Sequence, residues 1–113
     1  MYAYIYGMET ALKALAEPRR RRILMLVRDG ELSAGEIAAH FEISRPAVSQ
    51  HLTVLREAGL VDERRNGTRR LYRARPEGLA ELKAFLEGFW DERLEMLKRD
   101  AEREEREKDG TDD

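Results

Sequence analysis

Apolar residues along the first third of the chain recur at helical spacing. Met8, Ala11, Leu12 and Leu15 share one face, and Ile23, Leu24, Leu26 and Val27 form a second stripe. Pro18 suits the first turn of that second helix, and Gly30 stands where a C-terminal cap would stop it. Ahead of both, Tyr2, Tyr4 and Tyr6 alternate with Ala3 and Ile5. That alternation fits a short strand or a terminal segment ordered only on a partner.

Two short helices follow, each with its own start signal. Ser33-Ala34-Gly35-Glu36 has capping-box spacing, with Ile37, Ala38 and Phe41 turned to the core. Ser44 is the next N-cap, Pro46 sits in the first turn, Val48, Leu52 and Leu55 make the buried stripe, and Gly59 closes the helix. A connection of about three residues, Glu42 to Ser44, forces a sharp turn between them. The period then drops to two: 60–65 and 68–74 read as strands joined by Asn66-Gly67, a hairpin signal because both turn positions need positive φ. Pro76 opens a last helix with Leu79, Leu82, Phe85, Leu86, Phe89, Trp90, Leu94 and Leu97 on one broad face and Gly88 as a possible kink. Beyond Asp100 the chain is almost wholly charged. The expected organisation is one domain over 1–100 and a disordered tail over 101–113.

Four helices, a hairpin and a long helix give a mainly α fold with a β-hairpin wing, a winged helix-turn-helix. In that arrangement the second helix of the pair enters the major groove, where base edges can be told apart.

Composition changes this picture mainly through charge. The net charge of -2 over 113 residues conceals an asymmetry. Residues 17–75 carry 13 Arg and no Lys against 8 acids, whereas 91–113 carry 6 bases against 11 acids. A polyanion responds to the distribution rather than the total. The absence of cysteine excludes disulfides and thiolate metal sites. No apolar stretch reaches the roughly 18 residues that span a bilayer. Met1–Gly7 has no basic n-region or cleavage site, so the expected location is the cytoplasm.

On the helix after Ser44, the inward stripe turns Arg45, Ser49, Gln50 and Thr53 outward. Gln matches adenine and Arg matches guanine in bidentate fashion, and Ser or Thr suit phosphate or base edges. The bland alternative is an ordinary amphipathic helix. Arg64, Arg65, Arg69, Arg70, Arg73 and Arg75 crowd the hairpin, where like charges repel. Anionic backbone contacts account for Arg64, Arg65, Arg69 and Arg70, against a merely solvated edge. Arg73 and Arg75 could equally pair with helix carboxylates. The full candidate DNA-facing set is Ser44, Arg45, Pro46, Ser49, Gln50, His51 and Thr53 on the helix, with Arg64, Arg65, Asn66, Gly67, Thr68, Arg69 and Arg70 on the hairpin. His51 has a rival role as a packing or hydrogen-bonding residue, and His40 reads as structural or exposed. Arg19-Arg20-Arg21-Arg22, in a first helical turn where cations oppose the dipole, fits phosphate contact and intramolecular pairing equally well.

These segments together resemble the ArsR/SmtB family of bacterial winged-helix repressors over about residues 9–99. The resemblance rests on Leu15-Ala16-Glu17-Pro18-Arg19-Arg20-Arg21-Arg22-Ile23-Leu24, Ser44-Arg45-Pro46-Ala47-Val48-Ser49-Gln50-His51-Leu52, Val54-Leu55-Arg56-Glu57-Ala58-Gly59-Leu60-Val61 and the wing 64–72. It implies a homodimer that binds double-stranded DNA at an imperfect inverted repeat and represses transcription. Its first and last helices would dimerise through Leu12, Leu15, Phe85, Phe89, Trp90, Leu94 and Leu97, for which packing within one domain is the alternative. Tyr2, Tyr4, Tyr6 and Trp90 either line a pocket between protomers or simply pack.

Metal-sensing members carry paired cysteines where this chain has Ser33 and Gly35, and others use His and Asp on a last helix that here lacks histidine. Asp91, Glu92 and Glu95 form an acidic cluster that helix solvation explains. No metal and no cofactor is expected, which is closest to the metal-independent branch, and no nucleophile–base pair or phosphate loop suggests an enzyme. The competing function is a winged-helix protein-interaction module without specific DNA binding. An unknown small molecule or protein effector fits either.

Overall fold

The computed structural model describes residues 2–111, with side chains described for 7–107. Its elements run α1 (Tyr2–Leu15), α2 (Pro18–Leu26), β1 (Leu32–Ser33), α3 (Ala34–Ala38), α4 (Arg45–Glu57), β2 (Val61–Asn66), β3 (Arg69–Ala74), a 3-10 turn (Pro76–Leu79) and α5 (Ala80–Thr111). Residues 1–82 and 83–113 form two separate compact units.

In the first unit, Ile23, Val27, Ile37, Val48, Leu52, Leu55, Leu60 and Val61 are fully buried. Ala11 and Ala14 of α1 and Tyr72 of β3 complete that cluster, with Phe41 packed against it. The α4 stripe is therefore core, whereas of the α2 stripe Ile23 and Val27 are buried, Leu24 packs against the core from its edge and Leu26 is only half-buried.

The N-terminal segment is neither a strand nor an unfolded lead-in: α1 begins at Tyr2. Extending a helix by one residue costs far less than nucleating one, so the Met8–Leu15 stripe carries the turns before it. The side chains of Tyr2, Tyr4 and Tyr6 lie outside those described.

The end of α2 also differs from expectation. Val27 caps it, three residues before Gly30, because the Val27 carbonyl accepts from the Ala74 amide at 3.0 Å and is drawn to the sheet. The Ser33–Glu36 capping box forms as the spacing predicts. Yet α3 stops at Ala38, since the amides of His40 and Phe41 turn to the Ile37 and Ala38 carbonyls in 3-10 fashion. The connection to α4 is correspondingly longer than three residues.

Ser44 Oγ caps α4 by accepting from the Ala47 amide at 3.2 Å. Gly59 ends the helix at φ +74° while the Leu60 amide reaches back to the Leu55 carbonyl at 2.9 Å.

The sheet has order β1-β3-β2 and is antiparallel throughout. β1, two residues long, was not legible as a strand; it pairs Leu32 with Tyr72 and Ser33 with Leu71. The hairpin turn is shifted by one residue from the Asn66-Gly67 expectation. Asn66 pairs with Arg69, so Gly67 and Thr68 form the turn. Only Gly67 has positive φ, at +67°, because β-branched Thr68 resists that region and glycine first is the other favoured two-residue turn.

In the second unit, α5 passes through Gly88 without a break and continues past Asp100 to Thr111. The expected frayed tail is helical because its Glu, Lys and Arg residues are strong helix formers, supported by an Arg103–Asp100 pair at 3.1 Å. Phe85, Phe89, Trp90, Leu94 and Leu97 are each more than half exposed.

Candidate nucleic-acid interface

Successive helical turns put Arg45, Ser49, Thr53 and Arg56 along one face of α4, at spacings of four, four and three residues. That face forms one wall of a cleft of about 450 Å³. The opposite wall is the wing, through Thr68, Arg69, Arg70 and Tyr72, and the N-terminal turn of α3 closes one end through Ser33, Ala34 and Gly35. Gly35 leaves room for Arg45: a Cβ there would lie 3.4 Å from Arg45 Nη1.

Four of the hairpin arginines, Arg64, Arg69, Arg70 and Arg75, are held by acids. Arg69 Nη2 donates to Glu36 Oε1 at 2.6 Å, and the same oxygen accepts from the Ser33 amide at 3.0 Å. Hydrogen bonds from the Ser33 amide and hydroxyl, followed by the charge of Arg69, keep the Glu36 carboxyl below its ordinary range despite partial desolvation. Arg64 meets Glu31 in a two-pronged contact at 2.9 and 3.2 Å. Arg70 Nε lies 3.6 Å from Glu63 Oε1, and Arg75 Nε lies 3.3 Å from Asp62. Thus Arg75 does find a carboxylate, on the neighbouring strand rather than a helix. Arg65 faces Arg70 directly across the ladder, a like-charge pairing that does nothing for sheet stability. Burial first, and the adjacent Glu63 second, push the Tyr72 hydroxyl up from its ordinary value.

Of the candidate residues, the cleft gathers Arg45, Ser49, Thr53, Thr68, Arg69 and Arg70. Gln50 is exposed but off the cleft wall, as are Arg65, Asn66 and Gly67 at the wing tip, while Arg64 lines a hollow on the other side of the wing with Glu31, Asp62 and Arg73. Ser44 is engaged as the N-cap and Pro46 shapes the first turn. His51 is half-buried, its Nδ1 3.5 Å from Arg20 Nη1, which gives it the hydrogen-bonding surroundings of its rival role. Arg56, Glu63 and Tyr72 belong to the cleft and were missed. The continuation of the Arg45–Ser49–Thr53 spacing to Arg56 was a usable signal, whereas Glu63 needed the strand register.

The arginine run at 19–22 is engaged inside the protein. Arg20 Nε donates to the Ala14 carbonyl and Arg21 Nη1 to the Leu15 carbonyl, both at 2.6 Å. Cations at the start of α2 thereby cap the end of α1, where the dipole favours them. Arg19 pairs with Glu17 at 3.4 Å and Arg22 lies 4.9 Å over the Phe41 ring. Desolvation tends to raise the Glu17 carboxyl, but the Arg20 and Arg19 amides and the charges of His51 and Arg19 outweigh it and hold it low. Among the described residues, no group of three or more acidic or histidine side chains is gathered as for a metal ion, and no helix is long and apolar enough to cross a membrane.

The family model described as bacterial regulatory protein, arsR family, matches residues 17–63, from the start of α2 into β2. The chain is 48% identical over 86 residues to the HTH-type transcriptional regulator Rv2034 of Mycobacterium tuberculosis, covering 76% of this chain and 80% of that protein. It is 41% identical to the arsenic resistance transcriptional regulator ArsR1 of Pseudomonas putida, over 79% of this chain and 70% of the other. Among solved structures, the winged helix-turn-helix DNA-binding domain Mb0332 of Mycobacterium bovis, described as homodimeric, superposes with a TM-score of 0.65 at 37% identity, covering 84% of this chain and 88% of that one. Helix order, hairpin wing and sequence agree, and the chain belongs to the arsR family of bacterial regulatory proteins.

Proposed function

We propose that the chain is a homodimeric, sequence-specific DNA-binding regulator of transcription, acting as a repressor at an inverted repeat. α4 enters the major groove and presents Arg45, Ser49, Gln50 and Thr53 to base edges, while Arg65 and Arg69 of the wing meet the flanking backbone. The observation that carries this reading is the cleft itself, in which the polar face of α4 looks across at the wing arginines. An idle solvated surface has no need of short hydrogen-bonding groups opposite a guanidinium row. The exposed Phe85, Phe89, Trp90, Leu94 and Leu97 of α5 supply apolar surface for a second copy. The protein works in the cytoplasm beside the chromosome and carries out no chemistry of its own.

Selection of duplexes from fragmented genomic DNA, followed by anisotropy titration over a salt series, tests this. Enrichment of one inverted repeat, with half-sites a helical turn or a multiple apart and a steep salt slope, is the expected result. Binding indifferent to sequence overturns it.

A further inference from the structure

Glu63 is the single acidic side chain in the lining of the cleft between α4 and the wing. Its side chain is only 17% exposed, and it is engaged from two other elements. Oε2 accepts from Arg56 Nη1 of α4 at 2.6 Å and from the Tyr72 hydroxyl of β3 at 3.3 Å. Oε1 lies 3.6 Å from Arg70 Nε, also on β3. A carboxylate in a phosphate-facing cleft works against polyanion attraction, and holding it half-desolvated carries its own cost. Glu31 and Glu36, the acids that meet Arg64 and Arg69, are more exposed, at 30% and 49%, and can yield their partners to a phosphate at little cost. Glu63 is held by two hydrogen-bond donors and one further ion pair.

We propose that Glu63 is a specificity-determining positioning residue: it ties the recognition helix to the wing and holds Arg56 and Arg70 back from indiscriminate phosphate contact. This rests on the regulatory reading above. Phosphate contacts carry no sequence information, so each guanidinium released into the cleft strengthens binding to every duplex. The duplex that places base edges against Arg45, Ser49 and Thr53 gains least, because its fit requires the helix–wing spacing that Glu63 sets. Discrimination comes from withholding charge as well as from supplying contacts.

The test compares wild type with Glu63→Gln, which preserves size and hydrogen-bond acceptance while removing the charge. The probes are a duplex enriched from a random pool by the wild-type protein and a shuffled duplex of the same composition. For E63Q, binding to the shuffled duplex should tighten about tenfold, and its salt slope should steepen by about 0.9 for each arginine released. The affinity ratio between the two duplexes should fall about tenfold, the scale of one base contact. Adding Arg70→Gln to E63Q should return the slope toward wild type by one such step. Unchanged ratio and slope overturn the inference, as does equal weakening on both duplexes with a lowered Tm, which marks a purely structural role. A wild-type protein that does not discriminate overturns the regulatory reading itself, and this inference with it.

Discussion

The carbonyl oxygen of Gly59 occupies the space that a side chain on Gly78 would need. The αL cap of α4 and the 3-10 turn after β3 thus touch backbone to backbone, which fixes the root of the wing against the end of the recognition helix. The Arg75 amide, donating to the Leu60 carbonyl at 2.8 Å, secures the same junction. Gly78→Ala should therefore lower stability by about 2–3 kcal/mol, the scale of overpacking against groups that cannot move away. Gly30→Ala, with nothing within 4 Å and no positive φ, serves as the control and should be neutral or slightly stabilising. Urea midpoints of the two variants decide it; equal midpoints would show that the junction relaxes freely.

Arg20 offers a second stability test. Its guanidinium donates to the Ala14 and Lys13 carbonyls at 2.6 and 3.3 Å, the terminal carbonyls of α1. Arg20→Ala should cost about 1–2 kcal/mol, as for a hydrogen bond from a charged donor. The loss should appear as a lower denaturation midpoint and faster amide exchange in the last turn of α1. A phosphate-contacting Arg20 would instead show a shallower salt slope with the midpoint unchanged.

Much of this was legible in the sequence, and the misses share causes. The stripe Val48, Leu52 and Leu55 predicted both the buried face of α4 and the residues opposite it, because one period fixes both faces. Ser33 with Glu36, and Gly59, announced their caps because each does a job few residues can do. The end of α2 was set by a hydrogen bond from the Ala74 amide, far away in sequence, to the Val27 carbonyl, which no local pattern carries. The two residues of β1 are too few to show a period. The turn shift came from a competition between Asn66 and Thr68 over which residue stays in the ladder. In the cleft, Arg45, Ser49 and Thr53 could be found by spacing, but Glu63 becomes informative only once the pairing Glu63–Tyr72 is known.

Base reading and backbone contact separate by their signatures. Arg45→Ala or Gln50→Ala should relax sequence preference at one position of the site, with discrimination there falling by about 1–3 kcal/mol. Arg69→Ala should weaken all duplexes together and reduce the salt slope by about 0.9. Titration against a panel of singly substituted duplexes distinguishes these outcomes. An unchanged preference in the Gln50 variant would remove that residue from base readout.

Glu36 links the wing to acid stability. Its carboxyl is held below its ordinary value of 4.5 in the folded protein, chiefly by the Ser33 amide and hydroxyl. A lowered folded value means that the contribution is present above 4.5 and is lost as pH falls through that value and the lower folded one. The gap in urea midpoint between wild type and Glu36→Gln should accordingly be constant near neutrality and close on acidification. Glutamine keeps the capping geometry, so the variant isolates the charge and its bridge to Arg69. A gap that persisted to acid pH would mean that the carboxylate is not what the bridge contributes.

Phe89 and Trp90 meet edge to face on α5, ring centroids 5.9 Å apart at 81°, with both rings still half-exposed. Aromatic surface of this kind, continued by Leu94 and Leu97 along the helix, is costly to leave in water. If it is the dimer seam, Phe89→Glu with Leu94→Glu places carboxylates where two copies meet and should give a monomer by sedimentation. Residues 1–82 hold the core and the cleft and contain neither change, so a circular-dichroism melt should show the wing domain still folded. Operator binding should nevertheless weaken by at least about a hundredfold, because two linked half-site contacts become two independent ones. A variant that remains dimeric and binds normally would place the seam elsewhere. One that becomes monomeric yet keeps full affinity would show that a single copy reads the site.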